Sequence, residues 1–311
     1  MPLSFNADSL AEKAMLTIAI ARAARPNFLV MAPLCGLLGV LLAARQPVLL
    51  LSGRDIVLVL VGGLLAHAAV NLLNEYEDFR SGLDLMTRRT PFSGGSGALP
   101  ETPQAAPWVL AAGMGALAAV VAIGAYFVWL RGWPMLVIGL GGVGLVLAYT
   151  RWITRRPWLC LLAPGLGFGP VMVLGTLVAL GGQIDVAAVI IAGVSLSLVS
   201  ELLLLNQFPD LEADRCSGRR HLPIVLGLKP ASRLVTTLLM SAYGLVALGQ
   251  LSGALPMAVW LAWGTLPAAL WVIRQLPDAL AERQVLLRVL RINVATLLST
   301  LALLCIALWL A

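Results

Sequence analysis

The chain has 311 residues, 60% of them hydrophobic and only 12% charged, with a formal net charge of +6. Soluble globular chains carry about 25% charged residues, so the composition excludes an ordinary soluble domain and points to a polytopic membrane protein. The excess of positive charge follows membrane topology rather than a nucleic-acid surface, and no nucleic acid is expected as a partner.

The first stretch, about Leu10 to Ala24, is weakly amphipathic and shows no cleavage-site pattern, so no signal peptide is expected. Spans need about 20 mostly apolar residues. Nine are predicted, at 28–44, 56–77, 107–130, 134–150, 159–180, 186–206, 232–252, 255–273 and 288–310. The expected fold is therefore all-α: nine transmembrane helices in one integral-membrane domain, 1–311, bundled around a central cavity. Pro164 and Pro170 predict kinks in the fifth span, because neighbouring helices can satisfy the freed backbone groups. Gly139, Gly141, Gly142 and Gly144 in the fourth predict close helix packing. Cys35, Cys160, Cys216 and Cys305 are scattered, without the spacing of a disulfide framework or a zinc site.

Of the 21 Lys and Arg residues, 18 fall before the first span or in the even-numbered connections; the exceptions are Arg45, Arg54 and Arg131. Positive residues stay inside. The N-terminus and those connections are thus expected in the cytoplasm and the C-terminus outside, in a bacterial inner membrane.

Two acidic segments then emerge on the same side. In the first, 71–84, His67, Asn71, Asn74 and Asp78 follow steps of four, three and four and share one helix face. Gly82 offers a helix end, which leaves Asp84 in the loop. Glu77 lies off that face. In the second, 206–218, Asn206, Asp210 and Asp214 are spaced by four and share a face if Pro209 leaves the helical phase unchanged. Carboxylates at a membrane boundary are costly to desolvate and mark function. Carboxylate and amide oxygens in this arrangement suit Mg²⁺, which binds one or two carboxylates together with substrate phosphates. Asn74, Asp78, Asp84, Asp210 and Asp214 are the expected metal ligands, with Asn71 and Asn206 beside them on the bound diphosphate. Solvated helix ends are the bland alternative; two such segments on one side argue against it.

Arginine presents a planar fork that fits phosphate oxygens. Arg219 and Arg220 follow the second segment directly. Arg88 and Arg89 open the stretch Thr87 to Pro100 and would clamp the diphosphate while Gly94, Gly95 and Gly97 let the backbone cover it as a lid; the alternative is a flexible connector with topology-setting arginines. It lacks the Gly-Lys-Ser/Thr ending of a nucleotide-binding loop. His67 reads either as orienting an Asn or as a core residue, Glu201 as a packed buried acid or an acceptor-handling base, and His221 as a solvated loop residue.

The pair NxxNxxxDxxxGxD and NxxxDxxxDxxxG, with nine spans, resembles the UbiA superfamily of intramembrane prenyltransferases over nearly the whole chain. Arg25-Pro26, Tyr149-Thr150 and the run from Asp210 through Gly218 to Leu226-Gly227 look most like the branch that prenylates 1,4-dihydroxy-2-naphthoate. The resemblance implies Mg²⁺-dependent transfer from an isoprenyl diphosphate to a small aromatic or quinone-precursor acceptor. Asp78, Asp210, Asp214 and Tyr149 would be catalytic, and the tail would lie in a channel open to membrane lipid. The chain departs from the pattern at Glu75, Gln207, Pro209 and Ile153. Hydroxybenzoate, homogentisate, a porphyrin ring, a carotenoid or a glycerol lipid remain alternative acceptors. A divalent-cation transporter is the reading from another class; it predicts carboxylates at mid-membrane rather than at helix ends.

Overall fold

A computed structural model describes residues 4–47, 49–87 and 89–311. Every regular element described is helical. Ten principal helices run α1 Ser4–Ala23, α2 Pro26–Ala44, α3 Gly53–Arg80, α4 Ala106–Arg131, α5 Trp133–Ala148, α6 Pro157–Ala179, α7 Val186–Asn206, α8 Leu228–Leu251, α9 Met257–Ala279 and α10 Arg283–Leu310. All nine predicted segments are helices, but the predicted count of nine spans is not met in full. Among the described residues eight are long and apolar enough to cross a membrane, and α5 is a shorter apolar helix of 16 residues. At 1.5 Å per residue α5 covers about 24 Å, less than the roughly 30 Å hydrocarbon layer.

Caps and turns set the alternation. Ser52 accepts from the Asp55 amide to start α3, and Asp185 accepts from the Ala188 amide at 2.8 Å to start α7. α7 is the most enclosed span. Its Ile191, Val194, Leu198 and Leu205 have no solvent contact, as an all-round apolar helix requires. It packs on α6 and α8, while α3 packs on α4 and α9 on α10. Exposed tryptophans collect at both ends, Trp108, Trp152 and Trp158 at one, Trp129, Trp133 and Trp309 at the other. Such belts mark membrane interfaces.

α6 does not simply kink at its prolines. From Gly167 to Leu174 it widens into a π-helical stretch containing Pro170, one way to absorb a missing N–H donor. The glycines of α5 also differ from expectation. Only Gly142 packs closely, where an added Cβ would meet Val171 at 2.9 Å; at Gly139, Gly141 and Gly144 it would meet nothing within 4 Å.

The connections at the first tryptophan end carry both acidic segments. There Arg22 meets Glu101 and Arg220 meets Thr154, whereas Arg54 meets Tyr126 and Arg131 meets the Ala179 carbonyl at the opposite end.

Candidate active site

A cavity of about 670 Å³ opens between α3, α4, α5, α6 and α7. Its polar end is built by the two acidic segments. His67, Asn71, Asn74 and Asp78 all line it, as an unbroken helix with that spacing requires. Gly82, at φ 77°, ends the helix after Ser81 and turns the chain so that buried Asp84 lines the cavity too. The second segment differs from its expected form. α7 stops at Asn206, Gln207 to Pro209 is not helical, and a new helix starts at Leu211 with Asp210 at its cap. Asn206, Asp210 and Asp214 therefore share the cavity but not one helix face. Pro209 cannot carry α7 onward, because its ring clashes with the preceding turn.

Arg219 joins the segments. Its guanidinium donates to Asp78 Oδ1 and, at 3.0 Å, to Asp214 Oδ1. Burial works against its charge, but Asp78 and Asp214 more than offset this and hold the guanidinium above its usual pKa. Asn74 donates to the other Asp78 oxygen at 2.8 Å, and Thr150 donates to Asn74 Oδ1 at 3.0 Å. Thr154 donates to the Thr150 carbonyl, and the Arg220 amide donates to that of Thr154. A ring of hydrogen bonds thus runs from α3 through the α5–α6 turn to the second segment.

Asp84 and Asp210 stand apart from that ring. Burial pushes the Asp84 carboxyl up to about 7, helped by the charges of Glu75 and Asp78. Burial does the same for Asp210, also to about 7, with Asp214 adding to it. Both acids touch the loop Thr90–Gly97. Ser93 donates to Asp210 Oδ1 at 3.1 Å, and a Cβ on Gly95 would lie 2.7 Å from Asp84 Oδ1. Ser96 donates to Glu75 through both its amide, at 2.9 Å, and its hydroxyl. The loop is pinned across the mouth of the cavity by one carboxylate from each segment.

The remaining predicted residues divide. Asn71 lines the cavity and donates to the Ala24 carbonyl at 2.9 Å, and Tyr149 lines it as well. Arg89 is turned away onto Glu101 at 2.8 Å, so it does not clamp the cavity in this structure. Together with Arg22 it holds the Glu101 carboxyl down at about 2. Arg220 is exposed and outside the lining, contributing its backbone only. Arg88 lies outside the described residues. Glu77 pairs with Arg151, away from the ligand set. Glu201 accepts from Asn293 of α10 at 2.9 Å, a packed pair outside the lining. His67 stands edge-on to Phe168, ring centroids 4.8 Å apart.

His221 contradicts the expectation of a solvated residue: it is 2% exposed, with Nε2 2.9 Å from Asp214 Oδ2. A loop histidine followed by Leu222-Pro223 gives no sequence signal that the chain folds back onto its own motif. Ser93, Ser96 and Arg25 were likewise missed as site residues. Arg25 lines the cavity with its Nη2 3.5 Å from Glu75 Oε2, and its left-handed backbone (φ 54°) was not legible beforehand.

The donor set fits a hard divalent cation. Asp84 Oδ2 and Asn206 Oδ1 are buried oxygens with no protein partner, the condition that a bound ion relieves. Among the described residues no three His, Cys, Asp or Glu side chains stand at metal-holding distance from one another; the Arg219 guanidinium sits between Asp78 and Asp214 instead.

Away from the carboxylates the lining turns apolar, with Val59, Ile123, Gly124, Phe127, Gly139 and Met172. Val59 and Asp78 lie 19 residues apart on α3, about 28 Å at 1.5 Å per residue. The cavity therefore runs nearly the depth of the bilayer core.

The model of the UbiA prenyltransferase family matches residues 30–287. The 1,4-dihydroxy-2-naphthoate octaprenyltransferase of Bacillus subtilis (strain 168) is 30% identical over 195 residues, which is 59% of this chain and 60% of that relative's length. Among solved structures, a digeranylgeranylglyceryl phosphate synthase superposes with a TM-score of 0.66 at 16% identity, covering 95% of this chain and 99% of that one. A UbiA homolog from Aeropyrum pernix K1 gives 0.59 at 17% identity, covering 87% and 96%. A UbiA homolog from Archaeoglobus fulgidus bound to DMAPP and Mg²⁺ gives 0.56 at 16% identity, covering 92% and 98%. These structural likenesses establish a shared fold.

Proposed function

We propose, for a chain that belongs to the UbiA prenyltransferase family, that it transfers a polyprenyl group from an isoprenyl diphosphate to 1,4-dihydroxy-2-naphthoate in a Mg²⁺-dependent reaction. The observation that carries this reading is the joining of two acidic segments at the polar end of a deep apolar cavity. One end suits a diphosphate and its counter-charges, the other a hydrocarbon tail. The choice of acceptor is supported by the Bacillus subtilis relative, and that of donor and metal by the donor set and the ligands of the Archaeoglobus fulgidus homolog.

Asp78, Asp84, Asp210 and Asp214, with Asn74 and Asn206, would hold Mg²⁺. When bound, the metal supplies positive charge against the departing diphosphate. Arg219 adds charge fixed in place, and preorganised charge of this kind is often the largest contribution to catalysis. The allylic C–O bond breaks with its electron pair on the diphosphate. The apolar walls keep water from the allylic cation, the electron-rich ring carbon forms the new C–C bond, and the ring hydrogen leaves as a proton. Tyr149, which lines the same cavity, would border the reacting centre. The excess of basic residues in these connections supports a cytoplasmic location for this end and the N-terminus, with the C-terminus outside, in a bacterial inner membrane.

The test incubates membranes holding the protein with Mg²⁺, labelled geranylgeranyl diphosphate and, separately, 1,4-dihydroxy-2-naphthoate, 4-hydroxybenzoate or homogentisate. Labelled naphthoate product is expected. Label on another acceptor alone would overturn the acceptor, and diphosphate left untouched in every mixture would overturn prenyl transfer.

A further inference from the structure

His221 opens the short helix Leu222–Leu226, lines the main cavity and is 2% exposed. Its Nε2 lies 2.9 Å from Asp214 Oδ2. The carboxylate can only accept, so Nε2 carries the hydrogen. In the neutral ring this leaves Nδ1 as an acceptor with an open lone pair. Nδ1 is buried, and no protein group donates to it. Buried polar atoms in native proteins are almost always partnered, so this one points to a ligand.

The reactants differ in what they can offer. Mg²⁺ takes oxygen ligands rather than imidazole nitrogen. A diphosphate presents acceptor oxygens to a site that needs a donor. The prenyl tail has no polar hydrogen. An aromatic acceptor with a ring hydroxyl has the required O–H. The neighbourhood suits it: Tyr149, Cys160 and Gln207 line the same cavity, and Gln207 donates to Cys160 Sγ at 3.3 Å. Asp214 fixes the ring, as a carboxylate fixes the tautomer of an imidazole at which it accepts.

Building on the prenyl-transfer reading, we propose that His221 Nδ1 accepts the hydrogen bond of a ring hydroxyl on the aromatic acceptor, which makes His221 an acceptor-selecting residue. Beside its place in the Mg²⁺ site, Asp214 then orients His221 with one oxygen while Arg219 holds the other.

The test compares kcat/KM for 1,4-dihydroxy-2-naphthoate with that for each of its two monomethyl ethers, using geranylgeranyl diphosphate and Mg²⁺. Wild-type protein is expected to prefer the free dihydroxy compound over one ether by about tenfold, the worth of one hydrogen bond. In His221→Phe that preference falls to about one. In His221→Gln, whose amide can donate to Asp214 and still accept, it returns in part. A purely structural role through Asp214 would slow all three compounds alike. An unchanged preference in His221→Phe would overturn the proposal, whatever the absolute rate. If His221→Phe turns over too slowly to measure, equilibrium dialysis of the three compounds without diphosphate gives the same ratio. Wild-type protein that prenylates none of them would count against 1,4-dihydroxy-2-naphthoate as the acceptor; wild type that prenylates them, with a preference indifferent to residue 221, would count against His221 alone.

Discussion

Asp78 and Asp214 share one guanidinium. Arg219 donates to both, and so ties the end of α3 to the segment that follows α7. Neither aspartate keeps a bare oxygen: Asn74 occupies the second oxygen of Asp78, and His221 that of Asp214. In the two acidic segments, the buried oxygens without a protein partner are Asp84 Oδ2 and Asn206 Oδ1.

Arg219→Gln leaves two buried aspartates facing each other without their cation. Losing one partner of a buried ion pair costs about 3 kcal/mol. The expected result is a lower melting temperature in detergent, partly restored by millimolar Mg²⁺. Arg219→Lys should keep more of the stability, since it keeps the charge.

Ser96→Ala removes a hydroxyl hydrogen bond to the fully buried Glu75 and leaves it the Ser96 amide and the more distant Arg25 guanidinium. A hydrogen bond to a charged group is worth about 2 kcal/mol. The loop Thr90–Gly97 should become an early site of limited proteolysis, and the KM for prenyl diphosphate should rise several-fold. Unaltered cleavage would mean that Glu75 does not hold the loop.

Metal binding should depend on pH. Asp84 and Asp210 have carboxyls raised to about 7 by burial. In the metal-free fold they keep protons that the unfolded chain releases near pH 4, so stability without metal falls as pH rises from about 4 to about 7. Mg²⁺ must displace those protons. Its affinity should therefore strengthen from pH 6 to pH 8, with net proton release on titration that calorimetry in two buffers of different ionisation enthalpy would detect.

The apolar half of the cavity gives a prediction of chain-length selectivity. Gly139 lines it, and an added Cβ would meet nothing within 4 Å. Gly139→Leu should fill the channel without disturbing the bundle. Use of geranylgeranyl diphosphate should fall at least tenfold, with dimethylallyl diphosphate nearly unaffected. Equal loss with both would place residue 139 away from the tail.

These residues show what a linear chain can reveal. His67, Asn71, Asn74 and Asp78 were legible because one unbroken helix carries them, and Gly82 because only a left-handed residue turns the chain there. Asp210 and Asp214 were legible as chemistry but not as geometry, since Pro209 ends α7 and resets the phase. The burial of His221 and the pinning of Glu75 by Ser96 depend on loops folding across the bundle, which no local pattern encodes. Gly139 misled for a related reason: small residues favour both close packing and open space, and only the neighbouring helices decide between them.

If the two acidic segments form one diphosphate-activating site, prenyl transfer in isolated membranes needs both. Wild type, Asp78→Ala and Asp210→Ala would be brought to equal protein levels and supplied with Mg²⁺, labelled geranylgeranyl diphosphate and 1,4-dihydroxy-2-naphthoate. Labelled product from the wild type, with a loss of at least a hundredfold in each variant, is the predicted result. Full activity in either variant would contradict it.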